Sequence, residues 1–311
     1  MDSNRELPLV SVIIPVYNDP KGIQNCLSAL EEQTYPDSLF DVIVIDNGST
    51  DETRDIVKEF SVKLLVENSI QGSYAARNKG IEHAKGEILA FTDADCTPIP
   101  EWIEAGVSTI IKDGTDLVAG RVQFEFTEKK TAAEKYDAFV SMRNDRATLK
   151  GTGTTANLFA YNTLIDEIGL FPEQLQSGGD IYWTRTATNS GFEITYSSNA
   201  IVKHPSRNLV QFLKKMYRVG KGGAQLWQLD NQPIGSKIIL GMIGAPFKLA
   251  RLIYRVIYHN KTDDKSTNAT PPDRNVDMTI GFHIVAILSI IALGIGRIIG
   301  MVGLASYCMK K

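Results

Sequence analysis

GEILAFTDAD, at residues 86–95, is the stretch whose reading decides the fold. A short apolar run, of the length of a buried strand, stops at two carboxylates with one residue between them. In an extended chain alternate side chains point the same way, which directs Asp93 and Asp95 to one site. Like charges that close repel, and a cation beside them would offset the repulsion. An isolated Asp-x-Asp reads equally well as a solvated turn, so the weight falls on its surroundings.

Upstream, residues 9–16 (LVSVIIPV) are β-branched and nearly continuous, as in a strand covered on both faces of a parallel sheet. Tyr17-Asn18-Asp19-Pro20 ends this strand in a turn, and Ile23, Leu27 and Leu30 then recur at helical spacing. Residues 41–46 (DVIVID) form a second strand. The break after it leaves Ser49 or Thr50 to cap a helix over 52–60, and residues 62–66 make a third strand. Gly72-Ser73 opens a helix with Ala75, Ala76, Ile81 and Ala84 as its apolar stripe. Strands alternating with helices predict an α/β fold with a mainly parallel, Rossmann-like sheet flanked by helices, and in such a sheet ligands bind at the carboxyl ends of the strands. Tyr17, Asp46 and Asp93 all fall at such ends, although they are far apart in sequence.

Downstream the pattern predicts a helix over 101–112, one or two strands over 116–126 and a helix over 131–146, and residues 151–155 read as a flexible lead into an apolar stretch over 156–161. Asp180 is placed to cap a helix over 181–189, and residues 193–197 and 200–203 read as two short strands leading to His204-Pro205. Leu209, Phe212, Leu213, Met216 and Tyr217 then form an amphipathic stripe opposite Lys214, Lys215 and Arg218. Residues 238–258 are mostly apolar but carry Lys248, Arg251 and Arg255 as one basic ridge, which suits the plane of an anionic membrane surface. Residues 260–277 read as a polar linker. From 278 to 296 no Asp, Glu, Lys or Arg occurs, and the apolar character resumes after Arg297, about the length of roughly 20 residues that crosses a bilayer core. The expected layout is a catalytic domain over 1–230, an interfacial helix and linker over 231–277 and a hydrophobic membrane segment over 278–311.

With 311 residues, 43% of them hydrophobic, the chain has material for a sizeable core, and a net charge of -3 gives no basic field for nucleic acid. Cys26, Cys96 and Cys308 lack metal-type spacing and fit a reducing compartment without disulfides. The polar residues 1–8 are read as no signal peptide.

VSVIIPVYND, DVIVIDNGSTDET, GSYAARNKGIEHAKGEILAFTDADC, TTANLFAYNTLIDEIGLFPEQLQSGGDIYW and AIVKHPSRNLVQFLKKMYRVGKGG, taken in that order, resemble the inverting family 2 glycosyltransferases, which have the GT-A fold. The resemblance covers residues 7–223, and the C-terminal third lies outside it. It implies that Pro15, Tyr17 and Asp46 line the base and ribose of a nucleotide diphosphate sugar donor, Asp46 accepting a base N–H, and that Arg77 approaches the base or phosphates. It implies that Asp93 meets the ribose and a divalent metal, Mg²⁺ or Mn²⁺, that Asp95 meets this metal directly, and that His204 is a further metal or diphosphate ligand. Asp180 is the implied base, taking the proton of the acceptor hydroxyl. Gly179 and Asn47 stand where many similar chains carry acidic residues.

The expectation is thus a membrane-associated, metal-dependent inverting glycosyltransferase, its catalytic domain cytoplasmic and its acceptor a saccharide or a lipid-linked one. The alternative is a non-catalytic, membrane-docked protein that binds sugar nucleotides or saccharides on the same fold. A nucleotidyltransferase would show a basic, Gly-rich loop after the first strand, where this chain has Tyr17-Asn18-Asp19-Pro20.

Overall fold

A computed structural model describes residues 6–229 and 280–308. Along its first part β1 (Val10–Val16), α1 (Pro20–Glu31), β2 (Phe40–Asp46), α2 (Thr53–Val57), β3 (Lys63–Val66), α3 (Ser73–Ile81) and β4 (Ile88–Thr92) alternate as expected. The four strands are parallel and lie side by side in the order β3-β2-β1-β4. The chain therefore builds outward from β1 on one side and returns to place β4 on the other. That reversal opens a crevice beyond the carboxyl ends of β1 and β4, the position where open α/β sheets take their ligands. Burial explains the apolar runs: all of β4 and all of β1 except Pro15 are buried.

The second part consists of β5 (Thr97–Pro98), α4 (Trp102–Asp113), β6 (Leu117–Glu125), α5 (Ala132–Val140), α6 (Asn144–Ala147), β7 (Asn157–Tyr161), α7 (Leu164–Ile168), α8 (Gly179–Asn189), β8 (Ile194–Pro205), α9 (Leu209–Leu229) and α10 (Ile280–Cys308). It completes an 8-stranded mixed sheet, β7 running antiparallel to β4 and β6, and β8 parallel to β6. Two expectations are corrected here. The helix over 131–146 is two helices, separated where Met142 takes a left-handed φ of 48°. The two short strands over 193–203 are one strand, β8, with a bulge: Gly120 pairs with Ser197 but Arg121 pairs with Ile201. Buried Asn157 accounts for the bulge. It accepts from Trp102 Nε1 at 2.9 Å, and its Nδ2 donates to Arg121 O at 2.9 Å and Ala200 O at 2.8 Å. Gly120 admits this amide, since a Cβ there would lie 2.4 Å from it.

The chain divides into two compact units. The sheet and its helices occupy the first, which runs to Glu125 and resumes over Ser141–Pro205. The second takes Phe126–Val140 together with the chain from Ser206 on, so α5 packs with α9 and α10. Its small core joins Ala133, Phe212 and Val285, with the Tyr136 ring 4.9 Å from Phe282 and 5.6 Å from Phe212. Fully buried Asp137 on α5 takes Arg207 at 3.3 Å and Lys215 at 3.2 Å. Helices α9 and α10 approach closely enough that a Cβ on Gly220 would lie 2.2 Å from Leu293 O, and one on Gly296 2.1 Å from Tyr217 O. The basic helix expected over 238–258 and the linker over 260–277 lie outside the described residues.

Candidate active site

The loops after β1 and β2 are tied to each other at the carboxyl edge. Asn18, at a left-handed φ of 47°, donates its backbone N–H to Ser49 Oγ at 2.9 Å and accepts from Thr50 N at 2.8 Å with its side-chain Oδ1. Ser49 and Thr50 are thereby used in the loop and do not cap α2. Glu52 takes the cap position without a side-chain bond, and Asp51 before it accepts from Thr53 N at 3.1 Å. Tyr17 stands 52% exposed, its ring open to meet a flat ligand, and Pro15 is half-buried. Asp46 is fully buried at the end of β2. Its carboxylate accepts from Gly48 N and Ser49 N at 3.1 Å and from Arg54 Nε at 2.6 Å, so in this structure it organises the loop on which a base would rest. Asn47 donates to Glu67 O and Ile70 O, both at 2.9 Å, and accepts from Gly72 N at 2.6 Å. A carboxylate there could not make the two donations, which explains the amide.

Asp93 and Asp95 require a correction. β4 ends at Thr92, and residues 93–96 form a turn closed by Cys96 N on Asp93 O at 3.0 Å. The alternation of an extended strand therefore does not apply, and the two carboxylates take different partners. Asp93 pairs with Arg77 Nη2. Asp95 Oδ2 lies 3.4 Å from Nε2 of His204, a buried residue of β8.

The second contact bears on metal binding. His204 Nδ1 is 2.6 Å from Pro205 O, and a carbonyl only accepts, so Nδ1 carries the hydrogen. In the neutral ring Nε2 then turns a lone pair toward the Asp95 carboxylate. An imidazole nitrogen and a carboxylate oxygen at this separation can hold a cation together. An imidazole whose other nitrogen donates to a backbone carbonyl is also how metal-ligating histidines are oriented. One carboxylate and one imidazole suit a hard or borderline divalent ion that completes its shell with ligand oxygens and water. Among the described residues no three His, Cys, Asp or Glu side chains gather into a ready cage. Asp93 in particular is held by Arg77.

Asp180 stands in the first turn of α8. It is not the cap, since Gly178 with φ 84° takes that position. Its Oδ1 accepts from Ile181 N at 3.0 Å and from the Tyr74 hydroxyl at 3.1 Å. Burial raises its pKa, the Asp93 charge adds to this, and Arg77, the Ile181 N–H and the Tyr74 hydroxyl offset it only in part. Tyr74 and Arg77 share one face of α3, three residues apart, and the guanidinium carbon lies 5.7 Å from the centre of the tyrosine ring. Arg77 is buried, and its Nε has no partner in the protein. The structure thus brings Asp93, Arg77, Tyr74 and Asp180 into one connected group and pairs Asp95 with His204. Sequence reasoning missed Tyr74 and Arg54. The signal for Tyr74 was its position one helical turn before Arg77 in GSYAARNKG; for Arg54, eight residues after the carboxylate it holds, no comparable signal exists.

A parallel nucleotide-type sheet extended by antiparallel strands, with an Asp-x-Asp turn at its carboxyl edge, is the GT-A arrangement. The chain belongs to Glycosyl transferase family 2, whose pattern matches residues 11–168, and it is a glycosyltransferase. It is 48% identical over 230 residues to the glycosyltransferase AglE of Haloferax volcanii, covering 72% of this chain and 76% of AglE. The poly(ribitol-phosphate) beta-N-acetylglucosaminyltransferase TarS of Staphylococcus aureus is 28% identical over 219 residues, of which this chain spans only 37% of the TarS length. Among solved structures, the mannosyltransferase PcManGT of Pyrobaculum calidifontis, in complex with GDP-Man and Mn²⁺, shares the fold at a TM-score of 0.65 and 18% identity, over 94% of this chain and 88% of that one.

Proposed function

We propose that this glycosyltransferase moves a sugar, with inversion and with a divalent metal, from a nucleotide diphosphate sugar to a saccharide or lipid-linked acceptor at a membrane, from a catalytic domain on the cytoplasmic side. One observation carries the reading: Asp180, a carboxylate whose affinity for protons is raised, stands beside the Arg77–Asp93 pair at the carboxyl end of β4. The nucleotide occupies the crevice between the β1 and β4 ends, its base against Tyr17 and the loop that Asp46 holds, its ribose toward Asp93 and its phosphates toward Arg77. An acceptor oxygen attacks the anomeric carbon from the face opposite the diphosphate. As the new C–O bond forms and the bond to the diphosphate breaks, the acceptor proton passes to Asp180 and the electron pair leaves with the diphosphate. A Mg²⁺ or Mn²⁺ ion held by Asp95 and His204 would supply charge neutralisation for that leaving group.

PcManGT is described with GDP-Man and Mn²⁺ and a TarS fragment with UDP-GlcNAc, and these names support the donor class. The membrane setting is supported by α10, whose 22-residue stretch Gly281–Val302 reaches a mean hydropathy of 2.3 over 18 residues, long and apolar enough to cross a bilayer. Thermal unfolding of the full chain in detergent, with GDP-mannose, UDP-GlcNAc and UDP-glucose, each with and without Mn²⁺, tests the reading. One donor is expected to raise the unfolding temperature in a metal-dependent way and to release nucleoside diphosphate on incubation. Donor binding without any release, with saccharide or lipid-linked acceptors supplied, would leave a binding protein in place of an enzyme.

A further inference from the structure

Resting on the assignment of Asp180 as the base, we infer that Tyr74 is its positioning residue, and that Tyr74 links the base to the donor side of the site through Arg77. Three contacts define this role. The hydroxyl donates to Asp180 Oδ1 at 3.1 Å. The ring face carries the Arg77 guanidinium at 5.7 Å, and Arg77 in turn holds Asp93. The ring edge fills the space beside Gly179, where a Cβ would lie 2.8 Å from Tyr74 Cε2 and 2.9 Å from Cζ.

The ring is itself fixed. Tyr74 is 6% exposed and stacks on Phe171 with centroids 6.0 Å apart. Phe171 is packed against Phe91 of β4 at 5.5 Å and Trp183 of α8 at 4.8 Å. A side chain wedged in this way cannot swing, so its hydroxyl is a fixed donor rather than a mobile one. Both bonds from Tyr74 and Ile181 fall on Oδ1, which assigns Oδ2 to the acceptor proton. The charged and polar groups that face Asp180 are Arg77 and Tyr74 from α3, Asp93 from the turn after β4 and the Ile181 N–H of its own helix. Of these the Tyr74 hydroxyl is the one that a conservative change removes alone. A donated hydrogen bond favours the ionised carboxylate, so its loss makes the base harder to ionise.

The hydroxyl and the ring make separable demands, and the experiment uses that. Release of nucleoside diphosphate from the donor that binds, chosen among GDP-mannose, UDP-GlcNAc and UDP-glucose, is followed in Mn²⁺ with water as the nucleophile. Tyr74→Phe keeps the ring under Arg77. It is expected to lower kcat by about 10- to 100-fold, the worth of a hydrogen bond to a charged group, to leave the donor KM within about twofold and to move the acidic limb of the kcat profile to higher pH. Tyr74→Leu removes the platform as well and is expected to raise the donor KM. Gly179→Ala, which displaces the ring, is expected to lower kcat, and to add little when combined with Tyr74→Leu. Wild-type kcat in Tyr74→Phe, or a lower kcat with the acidic limb unmoved, overturns the inference. Asp180→Asn run alongside separates the two levels. If it turns over normally the base assignment itself falls; if it is inactive while Tyr74→Phe is normal, only the role of Tyr74 falls. Unfolding temperatures of all variants identify any loss that comes from misfolding.

Discussion

Asp180 acts as a base only while ionised, and burial works against ionisation. Because its pKa is raised, the deprotonated fraction falls at a pH above that at which an ordinary carboxylate titrates. Turnover is therefore expected to decline on the acid side with an apparent pKa higher than the usual carboxylate value, read from a pH profile of kcat. Asp180→Asn cannot take a proton and is expected to lose about 100- to 10,000-fold in rate while still binding donor. Asp95 answers to a different assay: Asp95→Ala is expected to abolish the Mn²⁺-dependent part of the donor-induced rise in unfolding temperature, and a rise that persists with Mn²⁺ would remove this residue from metal binding. The identities of these residues were readable in the chain, since a carboxylate pair after an apolar run and a carboxylate after two glycines are local patterns. Their geometry was not. Whether Asp93 and Asp95 share a face depends on the turn that Cys96 N closes on Asp93 O, a single backbone bond with no mark in side-chain periodicity. Tyr74 was legible only as one of four residues between Gly72 and Arg77, because what gives it a role is Asp180, which lies 106 residues away in sequence.

Helix α5 shows how an element of modest propensity is held in place. Thr131 and Glu134 form a capping box: Glu134 N donates to Thr131 Oγ1 at 3.4 Å, and Glu134 Oε2 accepts from Thr131 N at 2.6 Å. Glu134 Oε1 also accepts from Thr127 N at 3.0 Å. Burial alone would raise the pKa of this side chain, but the bonds from Thr127 and Thr131 outweigh it and hold the group down to about 2 from the ordinary 4.5. With a folded pKa below the unfolded one, the ionised group stabilises the fold above pH 4.5, and that contribution is lost as the pH falls from there toward 2. Glu134→Gln is expected to lower stability at neutral pH by about 1 to 3 kcal/mol, and the gap from the parent to close between those two pH values in chemical unfolding. The elements with a clear period were legible in this way: β1, β2 and β4 as apolar runs, α1 and α3 as stripes. The bulge in β8 was not, because it answers to Asn157 on another strand, nor was the break between α5 and α6, because Met142 gives no compositional sign of a left-handed turn.

At the scale of the molecule, the C-terminal hydrophobic stretch is more than an appended tail. In the second unit, Phe282, Val285, Ala286 and Ser289 are buried, with Phe282 against Tyr136 at 4.9 Å and Phe139 at 5.6 Å, while Ile284, Ile291, Ile295, Ile298 and Val302 are about half exposed or more. One face of α10 thus completes a protein core and the other, apolar as well, is left exposed. Helices α9 and α10 touch backbone to backbone at Gly220 and Gly296, and α9 carries Lys214 and Arg218 exposed along its outer side. An apolar face and a basic face on packed neighbours are what an anionic membrane surface binds, one in the acyl region and the other among the headgroups. Removing residues 278–311 would then do two things at once. It would delete the exposed apolar face, and it would also take Phe282 and Val285 away from the cluster that holds Tyr136, Phe212 and Met216. A simple anchor, once cut away, releases a soluble and active enzyme. Here the truncated chain is expected instead to lose several degrees in unfolding temperature and to aggregate on gel filtration, while the full chain stays in the membrane pellet after a high-salt wash. A monodisperse, fully active truncation would show α10 to be an anchor alone, and recovery of the full chain in the salt-washed soluble fraction would remove the membrane from its function.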